Sequence, residues 1–172
     1  MSNSVKTLWI LTTGGTIEKI YDEHEGTLHN RDTIIKNKIL QKLRLPYRDI
    51  QVHSILSKDS LYMDEQDRKL ICQEIELKEK LGTPIVVLHG TDTMDLTSSY
   101  CLENFPHPKV PVIFTGAMKP MGFDDSDATQ NVVEAIFATQ ILSPGYYVTF
   151  HGRLYQVPGF RKNREKGTFE AL

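Results

Sequence analysis

Three segments of the chain crowd hydroxyl, ionisable and small residues directly behind short apolar runs: LTTGGTIEK (residues 11–19), HGTDTMD (89–95) and TGAMKP (115–120). A hydroxyl held at a strand end can act as a nucleophile if a base takes its proton and hydrogen-bond donors meet the developing oxyanion. In the second segment Thr91 and Asp92 are adjacent, so a hydroxyl and a carboxylate are available to relay a proton or to grip an ammonium group. Each segment also has a plainer reading. The glycines make a tight turn while threonine hydroxyls satisfy loose backbone groups, and Thr91 or Asp92 caps the start of a following helix. A phosphate cradle does not fit, because Gly14-Gly15-Thr16-Ile17-Glu18-Lys19 has neither the G-x-x-x-x-G-K-[ST] nor the G-x-G-x-x-G spacing.

The elements that must position these residues are marked by apolar periodicity. Leu8–Leu11, Ile85–Leu88, Val110–Phe114 and Tyr146–Phe150 read as strands buried on both faces. Asp64 opens a helix with Leu70, Ile71, Ile75 and Leu81 as its apolar side, and Gly82-Thr83-Pro84 stops it. A second helix begins near Asp124 to Asp127, carries Val132, Val133, Ile136 and Phe137 as its core stripe, and ends before Ser143-Pro144-Gly145. A shorter one covers Thr93 to Asn104, residues 30–45 give a fourth helical pattern, and DIQVHSI (49–55) an additional strand. Strands alternating with helices predict an α/β fold, a doubly wound, mostly parallel sheet with helices on both faces. The chemistry-bearing segments, with HGRLY (151–155) after the last run, all follow strands, so they should meet at the sheet's carboxyl end, where such folds bind ligands.

With 172 residues, 40% of them hydrophobic, the chain is expected to form one domain over 1–172 around a good-sized core. The formal net charge of −2 is spread without long runs of one sign, which gives no electrostatic reason to expect nucleic acid or an anionic membrane as partner. A small molecule is the expected ligand. No stretch approaches the roughly 20 apolar residues of a membrane span, and the N-terminal residues lack a basic stretch and a small-residue cleavage site, so the cytoplasm is the expected location. Cys72 and Cys101 read as core thiols, and the six histidines show no H-x-x-x-H spacing. Neither a metal nor another cofactor is expected.

T-G-G-T-I (Thr13 to Ile17), H-G-T-D-T-M (His89 to Met94) and T-G-A-M-K-P (Thr115 to Pro120), in that order, resemble the bacterial-type L-asparaginase (asparaginase/glutaminase) family, whose two signatures are the first two motifs. The likeness extends through D-S-L-Y-M (Asp59 to Met63) and covers essentially the whole chain as that family's N-terminal domain. It implies that Thr16 is a nucleophile, with Thr91, Asp92 and a lysine as a supporting triad. The family segment before the domain junction places that lysine at Lys162; Lys119 is the rival, and the alternative reading of Arg161-Lys162-Asn163-Arg164 is a solvated loop. By the same resemblance Ser60, next to Asp59, holds a substrate α-carboxylate, Asp92 takes the α-ammonium, and Gly15 and backbone amides near Ala117 position the side-chain amide. The implied reaction is hydrolysis of L-asparagine to L-aspartate and ammonia without a cofactor. L-glutamine is a possible second substrate, since one methylene discriminates by only about 1–3 kcal/mol. An amino-acid-binding or regulatory module without turnover is the alternative.

Three departures from the family pattern matter. The family tyrosine on the loop after the nucleophile is replaced by Thr27 behind Gly26, and Tyr21, several residues earlier, either assists Thr16 or only packs. Leu61 stands where the family has serine or glutamine. The chain stops near TFEAL, about where family members enter a second domain that finishes a neighbouring subunit's pocket, so a homodimer or larger homo-oligomer is expected to close the crevice.

Overall fold

The computed structural model describes residues 5–30 and 33–172. Its frame is a six-stranded sheet. Strand β1 (Lys6–Gly14) is followed by a small hairpin, β2 (Lys19–Asp22) and β3 (Thr27–Asn30), a single helical turn α1 (Ile35–Lys38) and the long strand β4 (Arg48–Lys58). Helix α2 (Glu65–Glu79), β5 (Ile85–Leu88), α3 (Met94–Asn104), β6 (Pro111–Thr115), α4 (Ala128–Ala138) and β7 (Gly145–Phe150) then alternate. The chain closes with β8 (Arg153–Gln156) and a second hairpin, β9 (Phe160–Asn163) and β10 (Thr168–Ala171). Sheet order is β4-β1-β5-β6-β7-β8; the first five strands are parallel, and β8 returns antiparallel on β7.

Alternate side chains of each central strand enter two cores. Leu11, Val87 and Phe114 face one side with Ile71, Ile75 and Cys101 of α2 and α3, while Ile10, Val86 and Ile113 face the other with Ile35 and with Val132 and Ile136 of α4. This is the doubly wound α/β arrangement expected, since strands buried on both faces require helices on both faces. Cys72 and Cys101 are free and buried, as expected of core thiols.

Where the helices differ from expectation, the reason is geometric. Leu70, Val133 and Phe137 are exposed while their neighbours Ile71, Val132 and Ile136 are buried, because successive helical residues point about 100° apart and only one of each apolar pair can face the sheet. Leu81 lies beyond the last turn of α2 and is exposed. The pattern over 30–45 yields only α1 and a 3-10 turn at Leu40–Lys42; Asn30 ends β3, and residues 31 and 32 lie outside the described residues. Ile35 and Ile39, four apart and so on one face, are both buried in the core that also holds Leu8 and Ile10 of β1, with Leu40, Leu43 and Leu45 partly buried against it.

Candidate active site

Strand β1 lies between β4, which follows it in the parallel sheet, and β5, so the strand order reverses there. In open α/β sheets a crevice forms at such a reversal, outside the carboxyl ends of the strands. The loops after β1, β4 and β5 meet at this point with almost no space between their backbones. Gly14 and Gly15 adopt φ 91° and 80°, conformations that glycine alone takes readily. A Cβ at Gly15 would overlap the Gly90 backbone, and one at Gly90 would overlap the Ser60 hydroxyl. The residues next to Thr16, next to Thr91 and at Ser60 are therefore stacked against each other.

The threonines of the first loop divide their tasks. Thr13 Oγ1 donates to the Leu88 carbonyl at 2.9 Å and ties β1 to β5, and Thr12 is wholly buried. Thr16 is the half-buried hydroxyl residue that opens the 3-10 turn Thr16–Glu18. In the second loop the cap position of the following helix falls to Thr93, and Thr91 and Asp92 make other bonds. Lys162 Nζ donates to Thr91 Oγ1 at 2.7 Å and to Asp92 Oδ1 at 2.9 Å. Thr93, at the cap position of α3, makes no side-chain cap and donates to the Ser60 carbonyl at 2.9 Å. The side chains of Lys162 and Asp92 are only 18% and 15% exposed, so this ion pair is shielded from water. Arg164 reaches the same Asp92 oxygen at 2.9 Å from a side chain that is 68% exposed.

Ser60 is buried and, among the described residues, its hydroxyl has no hydrogen-bond partner. A hydroxyl left so at a crevice costs free energy until a ligand pairs it. Beside it Asp59 accepts from Lys19 Nζ at 2.6 Å and from the Leu61 amide at 3.1 Å. Burial works to raise the Asp59 pKa, but the Lys19 and Leu61 hydrogen bonds and the charges of Lys19 and Lys162 outweigh it and hold the carboxyl below its usual value. Ala117 is buried behind the third loop, whose Met118 and Lys119 amides donate to Asp127. Lys119 pairs with Asp125 on the surface, so Lys162 is the lysine that meets Thr91. Tyr21 stands on the first hairpin, 56% exposed, and lines a groove with Ile34, Lys38 and Phe123.

Two buried ionisable groups lie just beneath the loops. His89 donates from Nδ1 to the Gly90 carbonyl at 2.8 Å, and burial pushes its pKa down to about 4, so the ring is neutral. Glu18 accepts from the Gly14 amide at 2.9 Å, and burial raises its pKa against the hydrogen bonds it receives. Neither was singled out from the sequence, and nor were Lys19 and Arg164. Glu18 and Lys19 stand within the first motif, so its extension past Ile17 was the available signal; Arg164 shares the basic run of Lys162. Among the described residues no group of three or more His, Cys, Asp or Glu side chains could hold a metal ion, and no helix is long and apolar enough to cross a membrane.

Comparison with known proteins identifies the family. The family model for Asparaginase, N-terminal, matches residues 7–171. An L-asparaginase of Thermococcus kodakarensis is 31% identical over 150 residues, covering 86% of this chain and 44% of that protein. One of the subunits of a Glutamyl-tRNA(Gln) amidotransferase, from Methanococcus vannielii, is 30% identical over 154 residues, covering 88% of this chain and 35% of that protein. Among solved structures, the thermostable L-asparaginase from Thermococcus kodakarensis superimposes with a TM-score of 0.86 at 28% identity over 96% of this chain and 51% of that one. L-asparaginase I from Vibrio cholerae does so with a TM-score of 0.80 at 26% identity over 98% and 52%. This chain thus spans about half the length of those structures, or less of the curated relatives. The match over residues 7–171 makes this chain a member of the asparaginase family, corresponding to that family's N-terminal domain.

Proposed function

We propose that this chain hydrolyses the side-chain amide of L-asparagine, giving L-aspartate and ammonia through a threonine acyl-enzyme. The observation that carries the reading is Lys162 Nζ at 2.7 Å from Thr91 Oγ1 and 2.9 Å from Asp92 Oδ1, beside the loop that bears Thr16. Thr16 Oγ attacks the amide carbon. The hydroxyl proton passes through Thr91 and Lys162 to the leaving nitrogen, and the C–N bond breaks to release ammonia. Water then attacks the Thr16 ester, its proton returns to Thr16 Oγ, and aspartate leaves. Asp92 takes the α-ammonium and the free hydroxyl of Ser60 the α-carboxylate, which turns the amide toward Thr16. Gly15 and the Ala117 segment contribute backbone to the same cradle, and Asp59, locked by Lys19, holds the Ser60 turn in place. Tyr21 joins only if the first hairpin folds over bound substrate.

In this reading the protein works in the cytoplasm, takes a small amino-acid amide, and assembles as a homodimer or larger homo-oligomer. The exposed apolar residues Phe137, Ile141 and Leu154 support assembly. Ammonia release measured with L-asparagine and L-glutamine, in wild type, Thr16→Ala and Thr91→Val, tests the chemistry, and solution mass tests the assembly. Release lost in both variants supports the reading. Binding of asparagine without ammonia favours an amino-acid-binding module instead. The relatives named as parts of an amidotransferase favour a second reading, in which the same chemistry supplies ammonia to a partner protein; turnover that appears only with a partner would select it.

A further inference from the structure

The lysine of the site belongs to none of the sheet's strand-end loops. It rides on β9, at the far end of the chain, and something must seat that hairpin on the sheet. The apolar side of the seat is Phe160 and Phe169, whose rings meet edge-on at 5.2 Å, with Phe169 also edge-on to Phe150 of β7 at 4.7 Å. On the polar side Tyr155 Oη of β8 donates to the Phe169 carbonyl at 2.8 Å, and a second link, the one that reaches the third loop, passes through His151. His151 follows β7 directly and, among the described residues, is the one non-glycine with positive φ, at 49°. Such backbone strain in a non-glycine residue persists only where its surroundings enforce it.

Those surroundings are specific. The His151 amide donates to Asn131 Oδ1 at 3.1 Å, and the ring packs on Phe150 at 4.3 Å between centroids. Nε2 donates to Asp127 Oδ2 at 2.7 Å, since an ionised carboxylate can only accept. The ring's Nδ1 shares a hydrogen bond with the Thr168 hydroxyl at 2.9 Å. Thr168 pairs in register with Asn163, and Lys162 with Phe169, so the bonded threonine is one step along the ladder from the lysine. The Asp127 carboxylate at the other end also receives the Met118 and Lys119 amides of the third loop.

We infer that His151 is a positioning residue that, through the Asp127–His151–Thr168 chain, locks the C-terminal hairpin to the third loop and so sets Lys162 on Thr91 and Asp92. This rests on the reading of Lys162 as part of the reacting site, but the lock itself can be tested without turnover. Thr168→Val removes the hydroxyl while keeping shape, Thr168→Ser keeps it, and His151→Gly removes the ring while accepting the left-handed backbone.

Two readouts are taken on folded wild type and each variant: acylation of the Lys162 amine by a water-soluble reagent, followed by peptide mass spectrometry, and kcat and KM for ammonia release. Thr168→Val and His151→Gly are expected to acylate Lys162 about tenfold faster and to lower kcat by about 10- to 100-fold with KM little changed, the effect of misplacing a reacting group by about 1 Å. Thr168→Ser should restore both values. Unchanged Lys162 acylation in Thr168→Val and His151→Gly overturns the inference, as does faster acylation of every lysine together, which reports general loosening. If wild type releases no ammonia, the functional reading fails while the acylation result still decides the role of His151.

Discussion

Of the two hairpins appended to the sheet, one carries the lysine that the family resemblance assigns to catalysis and the other Tyr21, the candidate substitute for the family's loop tyrosine, and the structure treats them oppositely. The C-terminal hairpin plants Phe160 and Phe169 in the core, its Phe169 carbonyl accepts from Tyr155 Oη at 2.8 Å, and its lysine is shielded and paired. The first hairpin leaves Tyr21 and Leu28 exposed and adds no buried residue to either core. A group outside a rigid sheet is only as well placed as the anchors beneath it, because a side chain fixed by packing loses little entropy when substrate arrives. Lys162 is set before any ligand binds; Tyr21 would have to be brought in by one.

The sharpest way to break this contrast is at the lysine itself. Lys162→Met keeps the length and removes the amine, and kcat for ammonia release should fall by about 10²- to 10⁴-fold, the range of a positioned acid or base, with the fold retained. Next comes the anchor. Phe169→Ala leaves a cavity under the hairpin and should cost about 3–5 kcal/mol in denaturant unfolding. A comparable truncation on the first hairpin, Leu28→Ala, removes an exposed side chain and should stay within about 0.5 kcal/mol.

The platform on which the lysine lands has its own signature. His89 titrates near 6.5 when unfolded and about 4 when folded, so between those values the unfolded chain binds more protons. Stability therefore falls as pH drops through that window, by on the order of 3 kcal/mol for a shift of this size. His89→Gln should flatten the loss between pH about 7 and about 4 relative to wild type. Two smaller effects sharpen the contrast. Arg164→Gln removes an exposed cation that competes for Asp92 and should lower KM by about two- to fivefold, since such exposed pairs are worth about 1 kcal/mol or less. Tyr21→Phe should change kcat by less than about threefold, well short of a general base.

Much of this was legible in the residues. The four apolar strand runs were plain because strands buried on both faces leave no polar positions to confuse them, and the loops behind them followed from the parallel order. Lys162 was reached by its match to a family segment, and the structure supplies the physical reason, which a basic run alone cannot: Arg161 and Asn163 turn to Glu170 while Lys162 turns inward. Hairpin β2–β3, strand β8 and hairpin β9–β10 were missed as elements. Each strand is four residues of mixed polarity, too short for an alternating pattern to stand out from a loop. The His151 chain was hidden for another reason: its three members lie 17 and 24 residues apart, and only the fold joins them.

The central assertion is that Thr16, Thr91 and Lys162 border one crevice shaped for a small zwitterion. A crystal structure of the chain soaked with L-aspartate, the product of the proposed reaction, tests it most directly. The expected density has the α-ammonium on Asp92, the α-carboxylate on Ser60 Oγ, and the side-chain carboxylate between the hydroxyls of Thr16 and Thr91. Aspartate bound elsewhere, or the two hydroxyls opening into separate spaces, would contradict it.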